Sequence, residues 1–225
     1  MNSFSPVFTQ GDFMLMLKGA GITFYLTLVS GLFGTILGFL IGWARTVKFA
    51  PLYYLLGLYI EVFRTVPLII QFVLFNSGLA IFGLRIDPFT SGLISLSIYI
   101  SAYVAEVVRS GIESVPPVTV KAARGLGMTY LQSFRFIVVP VGVRSVLPAW
   151  TGLMLGLMKD TSLVAVLGAT PPELLRASQI IITRIQEPLA ILIGAGAFYF
   201  IMCHFITVVV NRYEKSWNEK AKVAA

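Results

Sequence analysis

Charged residues, cysteine and histidine are all scarce in this sequence of 225 residues. Asp, Glu, Lys and Arg make up only 12% of it, whereas a typical soluble domain carries about 25%. Hydrophobic residues account for 57%, so the composition indicates an integral membrane protein. The length fits one membrane domain, and no stretch is long and polar enough to form a second folded domain.

These scarcities exclude several classes of function. The single cysteine, Cys203, cannot form an internal disulfide, and we interpret it as a packing residue. The single histidine, His204, lacks partners for a metal site, so we interpret it as a satisfied histidine in the membrane interior. No Ser/His/Asp set and no G-x-x-x-x-G-K-[ST] phosphate-binding motif is present. We therefore expect no enzyme activity, no cofactor and no metal, and energy for any transport from a separate protein.

The net charge of +7 does not indicate nucleic acid, because the basic residues lie in short loops and at the C-terminus, beside apolar runs. The first residues lack a basic region and a small-residue cleavage site, so we expect no cleavable signal peptide.

Five apolar stretches approach the length of about 20 residues that a helix needs to cross a bilayer. Backbone polar groups in lipid must be satisfied internally, so we predict an all-α membrane protein. The predicted spans are Ile22–Ala44, Leu52–Phe82, Phe89–Val108, Val141–Met158 and Leu189–Val210. The second is overlong and interrupted by Glu61, Arg64 and Pro67, and the fourth contains Arg144 and Pro148.

The distribution of Lys and Arg in short loops predicts the orientation, because these residues are enriched on the cytoplasmic side. One side holds ten of them: Arg45, Lys48, Arg109, Lys121, Arg124, Arg135, Arg212, Lys215, Lys220 and Lys222. The other side holds four: Lys18, Arg85, Arg176 and Arg184. We therefore predict an external N-terminal segment (residues 1–19), a membrane domain (20–211) and a cytoplasmic tail (212–225).

Small residues recur at four-residue spacing in three spans, which allows close helix packing. The first span contains Ser30, Gly34, Gly38 and Gly42, the fourth contains Gly152 and Gly156, and the fifth contains Ala190 and Gly194. These stripes pack either within one subunit or at a subunit interface, and the pattern leaves both interpretations open.

The predicted external loop, Gly168 to Glu187, begins a helix near Thr170, with two prolines and an acidic residue following. The spacing of Leu174, Leu175, Ile181 and Ile182 predicts an amphipathic helix at the outer surface.

A polar interruption, Pro116 to Pro140, separates two of the apolar stretches, and its sequence is PPVTVKAARGLGMTYLQSFRFIVVP. Good helix formers predict a short helix from Lys121 to Leu126, which Gly125 and Gly127 end. The segment resembles the E-A-A, three residues, G, nine residues, I-x-L-P signature of bacterial binding-protein-dependent ABC importer permeases. Five positions match: Ala122, Ala123, Gly127, Ile137 and Pro140. Lys121 stands where the signature has Glu, and Val139 where it has Leu.

Three further segments are similar to the polar amino acid branch of that family: YIEVFRTVPLIIQ, SAYVAEVVRSGIESVP and MKDTSLVAVLG. The resemblance implies a type I permease fold with five helices, located in the bacterial plasma (inner) membrane. It also implies partner ABC ATPase subunits, an extracytoplasmic solute-binding protein, and a second permease subunit, identical or homologous.

In this family the short cytoplasmic helix docks in a cleft of the ATPase, whereas an unrelated loop helix would lie on the membrane surface. The resemblance assigns this coupling role to Lys121, Ala122, Ala123, Arg124, Gly125 and Gly127. The charge reversal at Lys121 indicates either an adapted ATPase or a second permease that carries the Glu.

Charges at membrane depth are costly and are usually functional. A zwitterionic solute needs an acceptor for its ammonium group and donors for its carboxylate. The candidates for such a path are Glu61, Arg64, Gln71, Lys159, Asp160, Thr161 and Ser162, with Asn76 further along the second span. Two structural alternatives remain open: an ion pair between Glu61 and Arg64, and a helix-capping role for Asp160.

The sequence thus favours the permease subunit of an ATP-driven importer of a polar amino acid or related solute. An ATP-independent channel or pore subunit is the alternative, and it does not explain the cytoplasmic Ala-Ala-x3-Gly loop. A membrane-embedded enzyme is disfavoured by the absence of a catalytic set.

Overall fold

The computed structural model describes the backbone of residues 7–47 and 49–223, and the side chains of these ranges as far as residue 213. Within these ranges the chain forms helices and no strands, which confirms the predicted all-α fold. The α-helices are α1 (Gln10–Ala44), α2 (Ala50–Thr65), α3 (Leu68–Ile81), α4 (Pro88–Glu113), α5 (Pro117–Gly125), α6 (Tyr130–Ser133), α7 (Val139–Asp160), α8 (Leu174–Ile185) and α9 (Pro188–Val223). A π-helical segment, Phe134–Val138, precedes α7, and a 3-10 segment, Thr161–Leu167, follows it.

Four helical stretches of the described residues are long and apolar enough to cross a membrane: Gln10–Ala44, Pro88–Glu113, Tyr130–Leu167 and Pro188–Tyr213. Helices α2 and α3 pass the same test together, although they meet at a bend of 108°. The prediction of about five spans is confirmed with this bent pair counted as one span.

The second span, predicted to be interrupted by Glu61, Arg64 and Pro67, is divided into α2 and α3 at Pro67. Proline has no N–H to donate, and its ring keeps the preceding residue out of the helical region. Val66 accordingly has φ −75° and ψ 127°, and α3 begins directly after the proline.

Both ends of the described chain are more helical than predicted. Helix α1 begins at Gln10, well before the predicted Ile22. Its start is fixed by reciprocal bonds: Thr9 N donates to Asp12 Oδ2 at 2.7 Å, and Asp12 N donates to Thr9 Oγ1 at 3.4 Å. At the other end, the predicted tail from residue 212 continues α9 as far as Val223. Residues 1–6 and 224–225 of the two predicted end segments lie outside the described residues.

The chain divides into two compact units. The first comprises the described parts of Met1–Ser30, Leu68–Leu96 and Leu155–Ala225. The second comprises those of Gly31–Pro67 and Ser97–Met154.

The glycine stripe of α1 packs against α4 in the second unit. A Cβ atom at Gly38 would lie 2.7 Å from the Ser101 carbonyl oxygen, and one at Gly42 would lie 2.5 Å from that of Ala105. A Cβ at Gly34 would overlap Ile100. The interpretation as packing within one subunit is therefore confirmed for this stripe.

The stripe of α7 differs from that of α1. A Cβ at Gly152 or Gly156 would have no neighbour within 4 Å among the described residues. Packing within the subunit therefore does not account for these two glycines, and the interface interpretation remains a prediction.

Helix α8 buries one face in the first unit. Leu174, Ala177, Ile181 and Ile185 are buried, and three of them share a core cluster with residues of α1 and α9: Met16, Ala20, Ile191 and Ala195. The predicted amphipathic character is confirmed. The predicted start near Thr170 was too early, because the capping residue is Glu173. Its carboxylate accepts hydrogen bonds from the free N–H groups of Leu175 and Arg176.

Candidate functional site

The polar segment Pro116 to Pro140, between α4 and α7, contains the short helix α5 in the second unit. It begins at Pro117, four positions before the predicted Lys121, because a proline at the first helical position is already set for the helix. Gly125 is the last helical residue of α5 and not the residue that stops the helix. The prediction that both Gly125 and Gly127 end α5 is therefore wrong for Gly125. Gly127 ends it with a φ of +90°, a conformation that glycine adopts without the steric cost of a Cβ atom.

Two backbone bonds close the end of α5 around Gly127. Gly127 N donates to the Arg124 carbonyl at 3.1 Å, and Met128 N donates to the Ala123 carbonyl at 3.2 Å. This pair of bonds is the Schellman arrangement, which satisfies the last carbonyl groups of a helix. The predicted role of Gly127 as the helix stop is confirmed.

One face of α5 is apolar and uncovered. Val118, Ala122 and Leu126 recur at four-residue spacing and are all exposed, Val118 by 75% and Leu126 by 84%. Lys121 and Arg124 are also exposed, whereas Ala123 is buried. The small side chain of Ala122 lets another surface approach the helix closely, and exposed apolar patches of this kind mark interaction sites.

The backbone beneath α5 is held by close contacts between α4 and α7. A Cβ at Gly142 would lie 3.0 Å from the Gly111 carbonyl oxygen, so the two helices approach at these glycines. The Ser114 and Ser145 hydroxyl groups are 3.1 Å apart. The segments that enter and leave the α5 loop are thereby joined at their bases.

Glu61 and Arg64 line a cavity of about 380 Å³ in the second unit. The other residues that line it are Arg45, Gly57, Ile60, Thr65, Tyr103 and Glu106. None of the ion pairs among the described residues joins Glu61 to Arg64. The alternative of a structural ion pair between them is therefore wrong. Instead, the Arg64 guanidinium carbon lies 5.3 Å from the centre of the Tyr103 ring. The cavity therefore offers one acidic and one basic group that do not neutralise each other.

A charged cluster next to this cavity was not predicted. Glu106 pairs with Arg45 and also, at 2.7 Å, with Arg109, which in turn pairs with Glu113 at 2.8 Å. The sequence could have indicated this cluster, since Glu106 is an acidic residue within the predicted third span. Because Glu106 binds Arg45, the second cation of the cavity wall is already neutralised.

The residues of the segment Lys159–Ser162 lie at the junction of α7 and the 3-10 segment, in the first unit. Lys159 is exposed, Asp160 and Ser162 are half-buried, and Thr161 is fully buried. The Thr161 hydroxyl donates to the Met158 carbonyl at 2.8 Å. The Asp160 side chain makes no capping bond, so the capping interpretation was wrong. A cap needs free N–H groups, and one helical segment follows the other directly at this residue.

Gln71 is buried in the first turn of α3, and α3 packs against the 3-10 segment in the same unit. Asn76 of this helix is half-buried. The predicted path residues thus form two groups: Glu61 and Arg64 in the second unit, and Gln71 with the segment 159–162 in the first.

A buried carboxylate in the first unit was predicted only as part of a helix start. Glu173 is 2% exposed, and its burial raises the pKa of the carboxyl group. Its Oε2 accepts from Leu175 N at 2.7 Å and from the Tyr199 hydroxyl at 3.2 Å, and its Oε1 accepts from Arg176 N at 2.6 Å.

Cys203 and His204 take no part in a metal site among the described residues. Cys203 is half-buried, with its Sγ 3.7 Å from Met158 Sδ, as expected of a packing residue. His204 lies within the apolar stretch Pro188–Tyr213, is exposed, and stacks on Phe200 with ring centres 5.8 Å apart, so its place in the membrane interior remains a prediction.

Known proteins resemble this chain over most of its length. It is 34% identical to the probable amino-acid ABC transporter permease protein YckA of Bacillus subtilis (strain 168), over 92% of this chain and 90% of that protein. It is 30% identical to the glutamine transport system permease protein GlnP of Escherichia coli (strain K12), over 89% and 92% respectively.

A crystal structure of an amino acid ABC transporter with histidines contains a chain of the same fold. The similarity covers 91% of this chain and 94% of that one, with a TM-score of 0.83 and 32% identity. The family described as binding-protein-dependent transport system inner membrane component matches residues 34–218. That range includes α5, the cavity of Glu61 and Arg64, and the segment 159–162. Because the match covers most of the chain and several helices are long and apolar enough to cross a membrane, this chain is a multi-pass membrane protein that belongs to the binding-protein-dependent transport system inner membrane component family.

Proposed function

We propose that this chain is the permease subunit of an ATP-driven importer that carries a polar amino acid or a related solute into the cytoplasm. The observation that carries the proposal is the family match over residues 34–218. The names of the relatives add the substrate class, since two of them are permeases for amino acids or glutamine. No observation favours the channel alternative.

ATP hydrolysis belongs to partner ABC ATPase subunits, because the sequence has no phosphate-binding loop. The apolar face of α5, Val118, Ala122 and Leu126, is the docking surface for the ATPase, with Lys121 and Arg124 beside it. Gly127 sets the end of this surface, and the closing motion of the ATPase moves the α5 loop. An extracytoplasmic solute-binding protein delivers the solute, and a second permease subunit, identical or homologous, completes the pore in the bacterial plasma (inner) membrane.

Solute contacts come from two sets of polar groups. Glu61 and Arg64 face one cavity with opposite charges and without an ion pair between them, which suits an ammonium and a carboxylate group of one zwitterion. Asp160 has no capping bond, so its carboxylate is available as an acceptor for an ammonium group. Gln71, Lys159, Thr161 and Ser162 complete the polar lining of the path.

Uptake into proteoliposomes tests the function. The chain is reconstituted with its ATPase and binding protein, and labelled glutamine and other polar amino acids are supplied outside. We expect uptake that requires ATP and the binding protein, and no ATP hydrolysis by the chain alone. Uptake that continues without ATP would instead establish the channel alternative.

Charge-removing variants test the solute contacts. Asp160→Asn and Glu61→Gln keep the size of each side chain, and loss of a charged hydrogen bond lowers uptake by about tenfold or more. Glu187→Gln, at an exposed loop position, is the matched control and leaves uptake unchanged. Assembly of the complex and the affinity of the binding protein are measured in parallel. Normal uptake in both variants would show that the two acids are structural.

A further inference from the structure

An apolar groove of about 550 Å³ lies in the first unit, between the beginning of α1 and the first turns of α9. The transport roles proposed above leave it unused. Every residue that lines it is apolar: Phe8, Phe13, Met16, Ala190, Ile191, Gly194, Ala197, Phe198 and Ile201. A zwitterionic solute would lose its hydrogen bonds in such a groove, so its occupant is not the transported solute.

Small residues of α9 leave the space that forms the groove. Ala190, Gly194 and Ala197 recur at spacings of four and three residues, along one face of the helix. A Cβ atom at Gly194 would lie 3.5 Å from Met16 Cε, which is an ordinary van der Waals distance. The backbones of α1 and α9 therefore stay apart here, and the stripe of small residues in α9 lines open space.

The position and shape of the groove suit a hydrocarbon chain. Its walls belong mostly to Gln10–Ala44 and Pro188–Tyr213, which are both long and apolar enough to cross a membrane. From Ala190 to Ile201 the groove follows α9 for about 16 Å, at 1.5 Å per residue. Apolar surfaces gain no hydrophobic drive to associate within lipid, so a chain that is held here needs an anchor for its headgroup.

A guanidinium group lies at the edge of the groove. Arg184, in the last turn of α8, pairs with Asp12 of α1. Asp12 is one helical turn before Met16 on the same face of α1. Ile185, next to Arg184 in the chain, shares a core cluster with Met16 and Ile191. The end of α8 thus packs against both walls.

Arg184 retains donors for a further acceptor. A guanidinium group carries five N–H donors, and among the described residues it is Nη2 that donates, to Asp12 Oδ2. The Arg184 side chain is 33% exposed, whereas Asp12 is almost enclosed and also accepts from Thr9 N and Thr9 Oγ1 at 2.7 Å each. Arginine is well suited to phosphate oxygens, and basic groups between membrane helices bind lipid headgroups.

We propose that the groove is a binding site for one phospholipid of the surrounding bilayer. One acyl chain lies in the groove along α9, and the phosphate group accepts hydrogen bonds from the remaining N–H groups of Arg184. The bound lipid fills the space between α1 and α9 beside the contact of α1 with α8. The site goes beyond the proposed function and does not depend on it.

Photolabelling of the full-length chain in phosphatidylethanolamine vesicles tests the site. The vesicles contain a trace of a lipid with a diazirine in one acyl chain, either phosphatidylethanolamine or a diacylglycerol with the same chains. Mass spectrometry of peptides locates the label. The measured quantity is the ratio of phospholipid to diacylglycerol labelling in the segment 190–201, relative to the same ratio at Leu28 and Leu32, which are exposed and outside the groove.

The headgroup contact predicts a high ratio that depends on Arg184. We expect the ratio to be about tenfold above the reference in the unmodified protein and to fall to the reference in Arg184→Gln, as loss of a charged hydrogen bond implies. Arg176→Gln is the control in the same helix and keeps the high ratio, since Arg176 donates to Gln179. If Arg184→Gln does not fold, the double variant Asp12→Asn, Arg184→Gln takes its place, because it leaves no carboxylate unpaired.

A second pair of variants tests the position of the acyl chain. Gly194→Phe fills the groove, so we expect it to abolish labelling of Phe198 and Ile201 by both lipids. Gly196→Phe is the control, because Gly196 is exposed, does not line the groove, and has no described neighbour within 4 Å of its Cβ position. If Gly194→Phe does not fold, Ala197→Phe replaces it.

Three results would overturn the proposal. A ratio equal to the reference in the unmodified protein would exclude the phosphate contact. No labelling of the segment 190–201 would mean that another surface, such as a second copy of the chain, covers the groove. Unchanged labelling in the groove-filling variant would mean that the label reaches α9 from outside the groove.

Discussion

Single residues at the end of α5 determine how this helix stops, and Gly127, just beyond its last turn, is the clearest case. Its φ of +90° has no steric obstacle around it, since a Cβ there would have no neighbour within 4 Å among the described residues. The constraint on Gly127 is therefore its own backbone conformation, whereas Gly125, with equal free space, lies in the last helical position.

This difference makes a matched pair of substitutions. Gly127→Ala introduces a side chain in the left-handed region at a cost of about 1–2 kcal/mol, so we expect an altered end of α5 and uptake lowered several-fold at normal membrane insertion. Gly125→Ala adds the same methyl group in a helical position and should retain uptake and assembly. ATP-dependent uptake in proteoliposomes measures both, and equal uptake by the two variants would contradict a coupling role for Gly127.

Glu173 gives a pH dependence whose sign follows from its burial. Because burial raises the pKa of this carboxyl group, the folded protein keeps the proton to a higher pH than the unfolded chain. The contribution to stability is complete below the unfolded pKa of about 4.3 and is lost as the pH rises through the folded pKa.

Thermal unfolding of the purified protein in detergent detects this loss. Between about pH 4.5 and about pH 7.5, the unfolding temperature of the unmodified protein should fall relative to that of Glu173→Gln, which does not titrate. Glu187→Gln, at an exposed position, should follow the unmodified protein. Parallel pH curves for the unmodified protein and Glu173→Gln would mean that Glu173 keeps its ordinary pKa.

At the scale of elements, α1 and α4 depend on glycine for their packing. Gly38→Leu would place a side chain against the Ser101 carbonyl oxygen and Val104, both 2.7 Å from the Cβ position. Backbone atoms cannot move aside as a flexible side chain does, so we expect destabilisation by about 3 kcal/mol or more and loss of folded protein.

Gly21→Leu is the control on the same helix, because a Cβ at Gly21 has no described neighbour within 4 Å. Fluorescence-detected size exclusion of the two variants compares the amounts of folded protein. Folded Gly38→Leu in normal yield would contradict the close approach of α1 and α4.

Over the whole molecule, the bent pair α2–α3 decides the number of membrane crossings. If the pair crosses once, the chain has five crossings and its ends lie on opposite faces, with the C-terminus in the cytoplasm as the Lys and Arg distribution predicts. If the pair returns to the side it came from, four crossings place both ends on one face.

Reporter fusions distinguish these two topologies. We expect a reporter that is active only in the cytoplasm to be active at the C-terminus and inactive at the N-terminus. Activity at both ends would identify α2–α3 as a re-entrant pair, and uptake by each fusion shows that the reporter leaves the fold intact.

The sequence by itself determined the helical class, the approximate spans and the short helix α5 with its glycine stop. These follow from local rules: apolar length, the need to satisfy backbone groups in lipid, and the conformational freedom of glycine. Gly127 as the end of α5 was predictable in this way. The same local rules misjudged the second span, where Pro67 was noted as an interruption but the resulting bend of 108° was not.

The tertiary structure decided which of several locally reasonable partners each side chain has. Glu61 and Arg64 are spaced for an ion pair, but Arg64 lies over Tyr103 instead. Thr23 accepts from Leu174, which is far away in the sequence, and Tyr199 donates to Glu173. Contacts between distant residues depend on how the helices pack, which no local pattern specifies. The glycine stripes show the same limit, since equal spacing in α1 and α7 accompanies tight packing in one helix and open space in the other.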